Sequence, residues 1–364
     1  MKKIIFIFFF LFAYTENVHS KKNVQEEANK KTYCRANTFF FTDNLNKIHY
    51  PKKIKIETNQ IKTWYLNLIR SFYSTPRSNW KIDPEYKKYT SAKVSFVFDN
   101  NIICKFKGKV KIHGGRKDHI DLKNLTSSLR VKLFDGHINH SRHFALLRPF
   151  SRNSDNEIFI TTLLSKINII TPNTYYIDVK VNNNNSQKMI FQDMDYEEVL
   201  RINKRSDGII LAENKTVYNN KHTLTRTLNV ESQPYGTGWE KGKNYFFNAL
   251  DKSNFIFINE KFYNKKNILH GEDEIYFVDY KKFKDFYLIM LASGGMHGAQ
   301  FGDRRYYYNI IKDMLEPVYY DWKPKIFTED YVLENHTLIY NFTISDIDNL
   351  IHLFLELSCQ YLKL

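Results

Sequence analysis

The residues IICKFKGKVKI (102–112), then Gly114-Gly115, then SLRVKLF (128–134) decide how the first half of the chain folds. The first segment is long and rich in β-branched residues, and the last alternates apolar with polar side chains, which is typical of strands. Two consecutive glycines interrupt such a pattern and favour a turn. The sequence therefore predicts a strand, a glycine turn and a second strand that returns with Arg130 and Lys132 on one face.

Further strand signals surround this hairpin, whereas helical signals become common later in the chain. Alternation predicts a strand at 93–98 and a second hairpin at 175–181 and 188–191, across an asparagine-rich turn. Apolar spacing of three and four residues predicts the following helices: 60–73, 156–164, 196–202, 245–250, 283–292 and 345–362. Gly294 and Gly295 favour the end of the fifth of these, because glycine suits the left-handed conformation there. The order predicts an α+β protein with a strand-rich lobe at 33–200 and a helix-rich lobe at 201–364.

Length and composition describe a folded chain of two domains or of one two-lobed unit. The 364 residues are 43% hydrophobic and 26% charged, close to ordinary globular values. Cys34, Cys104 and Cys359 lie far apart, which excludes a disulfide scaffold and the close spacing of a cysteine metal site. We expect Cys104 to be a small core residue. No apolar run reaches the roughly 20 residues that a membrane-spanning helix needs.

The first twenty residues have the charge order of a secretory signal peptide. Lys2-Lys3 precedes an apolar segment at 4–14 and a polar segment at 15–20. We predict a signal peptide at 1–20, a mobile polar leader at 21–32, and export to the periplasm, the cell envelope or the extracellular space. An uncleaved anchor or a buried strand is the alternative interpretation of the apolar segment.

The net charge of +15 is compatible with several anionic partners. Lysines are spread along the chain together with many asparagine, isoleucine, phenylalanine and tyrosine residues, as AT-rich codons would produce. Dispersed charge without a nucleic-acid-binding motif does not favour nucleic acid. The informative cations are those that flank the two candidate sites below: Arg116, Lys117, Arg130, Lys132, Arg304 and Arg305.

The glycine hairpin is the first candidate site. Glycines allow backbone N–H groups to approach a phosphate, and a cation on the neighbouring strand neutralises its charge. Gly114, Gly115, Arg130 and Lys132 therefore predict a nucleotide-binding hairpin. The alternative is a plain hairpin with solvated basic side chains.

The second candidate site lies in GGMHGAQFGDRRYYYNIIKDMLEPVYYDW (294–322). Asp303 and Asn309 bracket an Arg-Arg-Tyr-Tyr-Tyr segment, and Asp321 follows a predicted strand at 317–320. Phosphoryl transfer needs a carboxylate that orients the acceptor and oxygen ligands that hold Mg²⁺. Paired carboxylates also occur in glycosidase clefts. An aspartate capping a turn, with the tyrosines in a core, is the structural alternative.

Together these segments resemble the CotH family of secreted or spore-coat atypical kinases. The resemblance covers about residues 90–325. It rests on the glycine turn before SLRVKL, LLRPFSRN (146–153), PNTYYIDVKVN (172–182) and the segment containing His297, Asp303, Asn309, Glu316-Pro317 and Asp321.

The resemblance implies a kinase-like two-lobed fold that holds ATP and Mg²⁺ or Mn²⁺ between its lobes. Asp303 would be the catalytic aspartate and Asp321 a catalytic and metal-binding one, with Asn309 as a further metal ligand. Lys132 or Arg130 would contact the phosphates, and Gly114 and Gly115 would form the turn beside them. From its position alone, on the helix after Phe150, Glu157 is a candidate partner of Lys132.

The leading hypothesis is an exported kinase that transfers phosphate from ATP to a hydroxyl of a protein or a saccharide. The alternative is a catalytically degenerate envelope or surface protein that binds anionic polysaccharide. Two departures from the family pattern motivate it: Gln192 replaces a common glutamate, and Lys323 follows Asp321 where a second aspartate is usual. A glycan hydrolase using Asp303 and Asp321 is a third possibility. The histidines near the hairpin, among them His140 and His143, do not favour a metal site.

Overall fold

The computed structural model describes residues 50–75, 81–98, 102–206, 208–213, 228–232, 278–299 and 303–326. The predicted signal peptide at 1–20 and the predicted leader at 21–32 lie outside the described residues. The helices predicted at 245–250 and 345–362 also lie outside them.

A closed seven-stranded barrel occupies the first half of the described chain. Its strands are β1 (Lys53–Thr58), β2 (Thr90–Val97), β3 (Ile103–Ile112), β6 (Leu129–Leu133), β7 (His143–Leu147), β8 (Thr174–Val181) and β9 (Gln187–Asp193). Around the barrel they run in the order β1-β2-β3-β6-β7-β9-β8. A two-residue pair, β4 (Ile120–Asp121) with β5 (Thr126–Ser127), lies in the connection between β3 and β6.

The alternation of apolar and polar residues explains the barrel, because successive strand residues point to opposite faces. In β3 the side chains of Cys104, Phe106, Val110 and Ile112 are buried, while the lysines between them lie on the outer face. The barrel closes where β1 pairs in parallel with β8, whereas every other strand pair of the barrel is antiparallel. A barrel of this size is filled by its own side chains.

A four-stranded sheet follows the barrel. It contains β10 (Ile209–Glu213), β11 (Leu228–Ser232), β12 (Arg305–Asn309) and β13 (Met314–Val318), in the order β11-β10-β12-β13. The buried residues Tyr306, Tyr308 and Leu315 of this sheet form one cluster with apolar residues of two helices, α2 (Asp155–Lys166) and α4 (Tyr280–Ala292).

Two further helices are α1 (Ile61–Tyr73) and α3 (Tyr196–Ile202). The structure confirms the helices predicted at 60–73, 156–164, 196–202 and 283–292 and both predicted hairpins, with ends shifted by a few residues. Gly294 has a φ of +63° just after α4, as predicted from its place at the helix end. None of the helices that the structure describes is long and apolar enough to cross a membrane.

The predicted fold class is wrong. The strand-rich first half is not a lobe of a kinase-like α+β fold but a closed barrel, and the described part of 201–364 carries a β-sheet beside α4. Alternation in a sequence gives the face of each residue but not whether the first and last strands meet. β10 and β12 were missed because both are buried and lack alternation, and Arg305–Asn309 was interpreted as part of a motif.

Cys104 is buried in the barrel, as expected of a core residue. It is also disulfide-bonded, which the wide spacing of the three cysteines did not suggest.

Candidate functional site

A cleft forms where the ends of β3, β6 and β9 approach the end of β13. Its cavity measures about 70 Å³ and is lined by both polar and apolar surface. The side chains with polar groups that line it include the following: His113, Arg130, Arg152, Gln192, Asp193, Tyr319, Tyr320 and Asp321. They come from five separate stretches of the sequence, so folding brings together groups more than 200 positions apart.

An ion pair between Arg152 and Asp321 joins the barrel side of the cleft to the sheet side. Arg152 ends the 3₁₀ turn Pro149–Arg152 after β7, and Asp321 follows β13 with a φ of +45°. Burial alone would lower the pKa of Arg152, but the carboxylates of Asp321 and Glu157 raise it. The guanidinium therefore stays charged and holds Asp321 in place.

His297 lies between the two predicted aspartates. Its Nε2 is 3.6 Å from Oδ2 of Asp303 and 4.0 Å from Oδ2 of Asp321. Asp303 is buried beside β12, and His297 belongs to the 3₁₀ turn Met296–Ala299. The side chain of Trp322 lies against this turn, where a Cβ added to Gly298 would overlap the indole ring. Close packing thus brings Asp303 and Asp321 to one imidazole.

A buried carboxyl lies behind the ion pair. Glu157, on α2, accepts hydrogen bonds from Nε2 of Gln192 at 2.8 Å and from the Tyr319 hydroxyl at 2.7 Å. Burial raises the pKa of Glu157, while Arg152 opposes the shift. A glutamate at position 192 would bring a second carboxylate to Glu157, so the amide of Gln192 suits this environment.

Two more carboxyls lie on the barrel side, where burial raises the pKa of Asp193 to about 7 and that of Glu198 to about 7. Oδ2 of Asp193 accepts a hydrogen bond from the backbone N–H of Asn173. Burial also lowers the pKa of His113 well below its usual value, and the charges of Arg130 and Arg152 add to this effect. The imidazole of His113 is therefore neutral near pH 7, which leaves the arginines as the cations lining the cleft.

Arg130 and Arg152 each carry an unused donor. Among the described residues, neither Nε has a hydrogen-bond partner, although both atoms are buried. A buried donor without a partner is costly. Because both arginines line the same small cavity, they favour an anionic or oxygen-rich ligand there.

Some of the predicted site residues lie at or near the cleft and others lie away from it. Arg130 and Asp321 line the cleft, Asp303 reaches it through His297, and Glu157 lies directly behind it. Lys132 is exposed two residues beyond Arg130 on the outer face of β6, and Glu157 contacts Gln192 and Tyr319 in its place.

Gly114, Gly115 and Asn309 do not join the cleft lining. Gly114 has a φ of +93° with the His119 ring against it, and the carbonyl of Gly115 accepts a hydrogen bond from the N–H of Ile82. Asn309 donates to Oε1 of Glu316, and its own Oδ1 accepts from the N–H groups of Ile311 and Lys312. Its amide therefore bonds within the β12–β13 turn.

Sequence reasoning gave no role to Arg152, His297 or Asp193. Arg152 and His297 stood within motifs that were quoted, in LLRPFSRN and in the segment before Asp303, but nothing in their spacing links them to Asp321. Asp193, directly after Gln192, was not selected.

Known proteins do not identify the chain, since neither models of protein families nor curated proteins match it. The similarity to the CotH family therefore stays a prediction from the quoted motifs. In the part of the chain that the structure describes, no group of three or more His, Cys, Asp or Glu side chains is arranged to hold a metal ion.

Proposed function

We propose that the chain is an exported phosphotransferase that moves a phosphoryl group from ATP to a hydroxyl of a protein or a saccharide. One observation carries the proposal: two carboxylates and two arginines from distant parts of the sequence meet around one cleft. Phosphoryl transfer depends mainly on positioning and on electrostatic stabilisation, which is what such a set of groups provides.

The two arginines would hold the phosphates. Both arginines line a cavity of about 70 Å³, and the Nε of each is a buried donor without a partner. The cavity is several times the ~10–15 Å³ that one water needs. A phosphoryl group suits that volume, and the nucleoside would remain at the open side of the cleft. Arginine is suited to this role because its planar fork matches phosphate oxygens.

The aspartates suit a divalent cation as well as an acceptor. Mg²⁺ usually binds through one or two carboxylates together with substrate phosphates, so Asp303 and Asp321 fit it without a third protein ligand. When bound, Mg²⁺ or Mn²⁺ neutralises charge on the phosphates. Asp303 would orient the acceptor hydroxyl, and His297 keeps the two carboxylates at a common centre.

The disulfide at Cys104 supports export. Disulfides form and persist in oxidising compartments and are rare where thiols are kept reduced. A signal peptide at 1–20 would deliver the chain to such a compartment.

The test is transfer of label from γ-labelled ATP to the protein itself or to a mixture of acceptors, with Mg²⁺ or Mn²⁺. We expect Asp303→Asn and Asp321→Asn each to lower incorporation on the order of 10²-fold, as loss of a positioned electrostatic group typically does. The exposed Asp135→Asn is the matched control, and it should label like wild type. Equal incorporation by wild type and Asp321→Asn would refute the proposal.

A further inference from the structure

A row of four lysines runs along the outer face of β3. Lys105, Lys107, Lys109 and Lys111 occupy every second position, and the residues between them face inward. These four residues are called the lysine stripe. Because residues in a strand are spaced by about 3.3 Å, neighbouring stripe positions lie about 6.6 Å apart.

Basic residues, and not acidic ones, stand opposite three of the four stripe positions. The register pairs Lys107 with Lys93 on β2, Lys109 with Lys132 on β6, and Lys111 with Arg130 on β6. Like charges directly opposite one another across a strand pair are destabilising. The pairing thus concentrates positive charge that opposite charges on these strands would have offset.

Lys109 and Lys111, at one end of the stripe, pack against the ring of Tyr89. The Nζ atoms of Lys109 and Lys111 each lie 4.6 Å from the centre of the Tyr89 ring. Burial lowers the pKa of Lys111, and the charges of Arg130, Lys87 and Lys109 lower it further. The side chain of Lys87 donates to the carbonyl of Gly114 at 3.3 Å, which brings a further cation to the same end.

Acidic groups near the stripe are few among the described residues. Asp135 accepts a hydrogen bond from the backbone N–H of Lys107, Glu57 stands opposite Lys93, and Asp83 acts on Lys87. Glu57 partly offsets the pair of Lys107 with Lys93, whereas the strand registers place no acidic residue opposite the two cation pairs between β3 and β6.

We propose that the lysine stripe binds an extended acidic polysaccharide along the outer face of β3. Successive carboxylates of such a chain would meet cations about every 6.6 Å along the strand, with a second row on the neighbouring strands about 5 Å away. A bound polyanion would also relieve the repulsion between the paired cations. The four lysines do not line the cleft, although Arg130 opposite Lys111 does, and binding along the stripe does not depend on the proposed transfer reaction.

Two features favour a polysaccharide over a single-stranded nucleic acid. Proteins that bind single strands stack bases on open aromatic rings, but the two lysine ammonium groups lie over the ring of Tyr89. The stripe is also built of lysines, which act as point charges, and not of the arginine forks that match phosphate.

The probe is an oligogalacturonate of about ten residues, titrated into the folded protein at low salt without nucleotide. A neutral glucan oligomer and a single-stranded oligonucleotide of equal charge are titrated in parallel. We expect Lys107→Gln/Lys109→Gln/Lys111→Gln to weaken oligogalacturonate binding at least tenfold. The control Lys166→Gln/Lys204→Gln/Lys312→Gln removes the same charge from other exposed positions, and its affinity should stay within about twofold of wild type.

Two further measurements distinguish a loss of binding from a folding defect in the triple variant. Lys105→Gln/Lys107→Gln, which removes the other end of the stripe, should weaken binding about threefold. The oligogalacturonate should raise the Tm of wild type and of the control, but not that of the stripe variant, because only a ligand of the folded state stabilises it. Equal binding by the two triple variants, no preference over the neutral glucan, or tighter binding of the oligonucleotide would each overturn the proposal.

Discussion

Replacing Asp193 by asparagine should stabilise the protein in a strongly pH-dependent way. Asp193 lines the cleft from the end of β9, and burial raises its pKa from 3.8 to about 7. In the unfolded chain the same carboxyl ionises near its ordinary pKa. Between these two pH values the folded state keeps a proton that the unfolded state has lost. The free energy of unfolding is therefore not reduced by this carboxyl below pH 3.8, and it falls as pH rises from 3.8 to about 7.

The size of the effect follows from the shift. About three pKa units, at 1.36 kcal/mol for each unit, give a loss of about 4 kcal/mol between pH 4 and pH 7. The asparagine of the variant does not ionise, and its amide oxygen can still accept the hydrogen bond that Asp193 receives from Asn173. The variant should therefore match wild type near pH 4 and exceed it by as much as about 4 kcal/mol at pH 7.5.

Urea denaturation at half-unit steps from pH 4 to pH 8 measures this difference. The pKa of Glu198 is also raised, so Glu198 too makes wild type less stable as pH rises. The quantity to compare is therefore the gap in unfolding free energy between variant and wild type at each pH. Asp178→Asn, at an exposed position of β8, is the control, and its gap should stay within about 0.5 kcal/mol. A gap for Asp193→Asn that does not change with pH would refute the reasoning.

Two further stability predictions concern the ion pair and the disulfide. Arg152→Ala leaves Glu157 and Asp321 without their buried cation, so urea denaturation should show a loss of about 3–5 kcal/mol. Glu157→Gln in the same chain should recover part of it, and full stability of Arg152→Ala alone would contradict the electrostatic role. Reduction with dithiothreitol should lower the unfolding free energy of wild type by about 2–4 kcal/mol. The unfolding free energy of Cys104→Ala should not change with the reductant. An unchanged unfolding free energy of wild type would exclude a stabilising disulfide.

Local elements of the fold were predictable because their signals are local. The spacing of Trp64 and Leu68 predicted α1, and the alternation in SLRVKLF predicted β6. Closure of the barrel was not predictable, because it depends on the parallel pairing of β1 with β8, more than 100 residues apart in sequence. Fully buried strands such as β12 show no alternation, so their five consecutive buried residues gave no strand signal.

The candidate site was predictable in part, for a related reason. Asp303, Asp321 and Arg130 were selected from residue type and motif, and they lie at or beside the cleft. Asn309 was selected on the same grounds and instead bonds to Glu316. Sequence distance could not show that Arg152 pairs with Asp321 across 169 positions. The lysine stripe was overlooked because evenly spread lysines were attributed to codon bias, whereas strand pairing gathers them on one face.

The proposed phosphotransferase site is best tested by a crystal structure with Mn²⁺ and a non-hydrolysable ATP analogue. We expect an anomalous manganese peak within coordination distance of Asp303 and Asp321, with phosphate oxygens on the guanidinium groups of Arg130 and Arg152. A map in which the cleft stays empty at saturating nucleotide, or in which the nucleotide binds elsewhere, would contradict it.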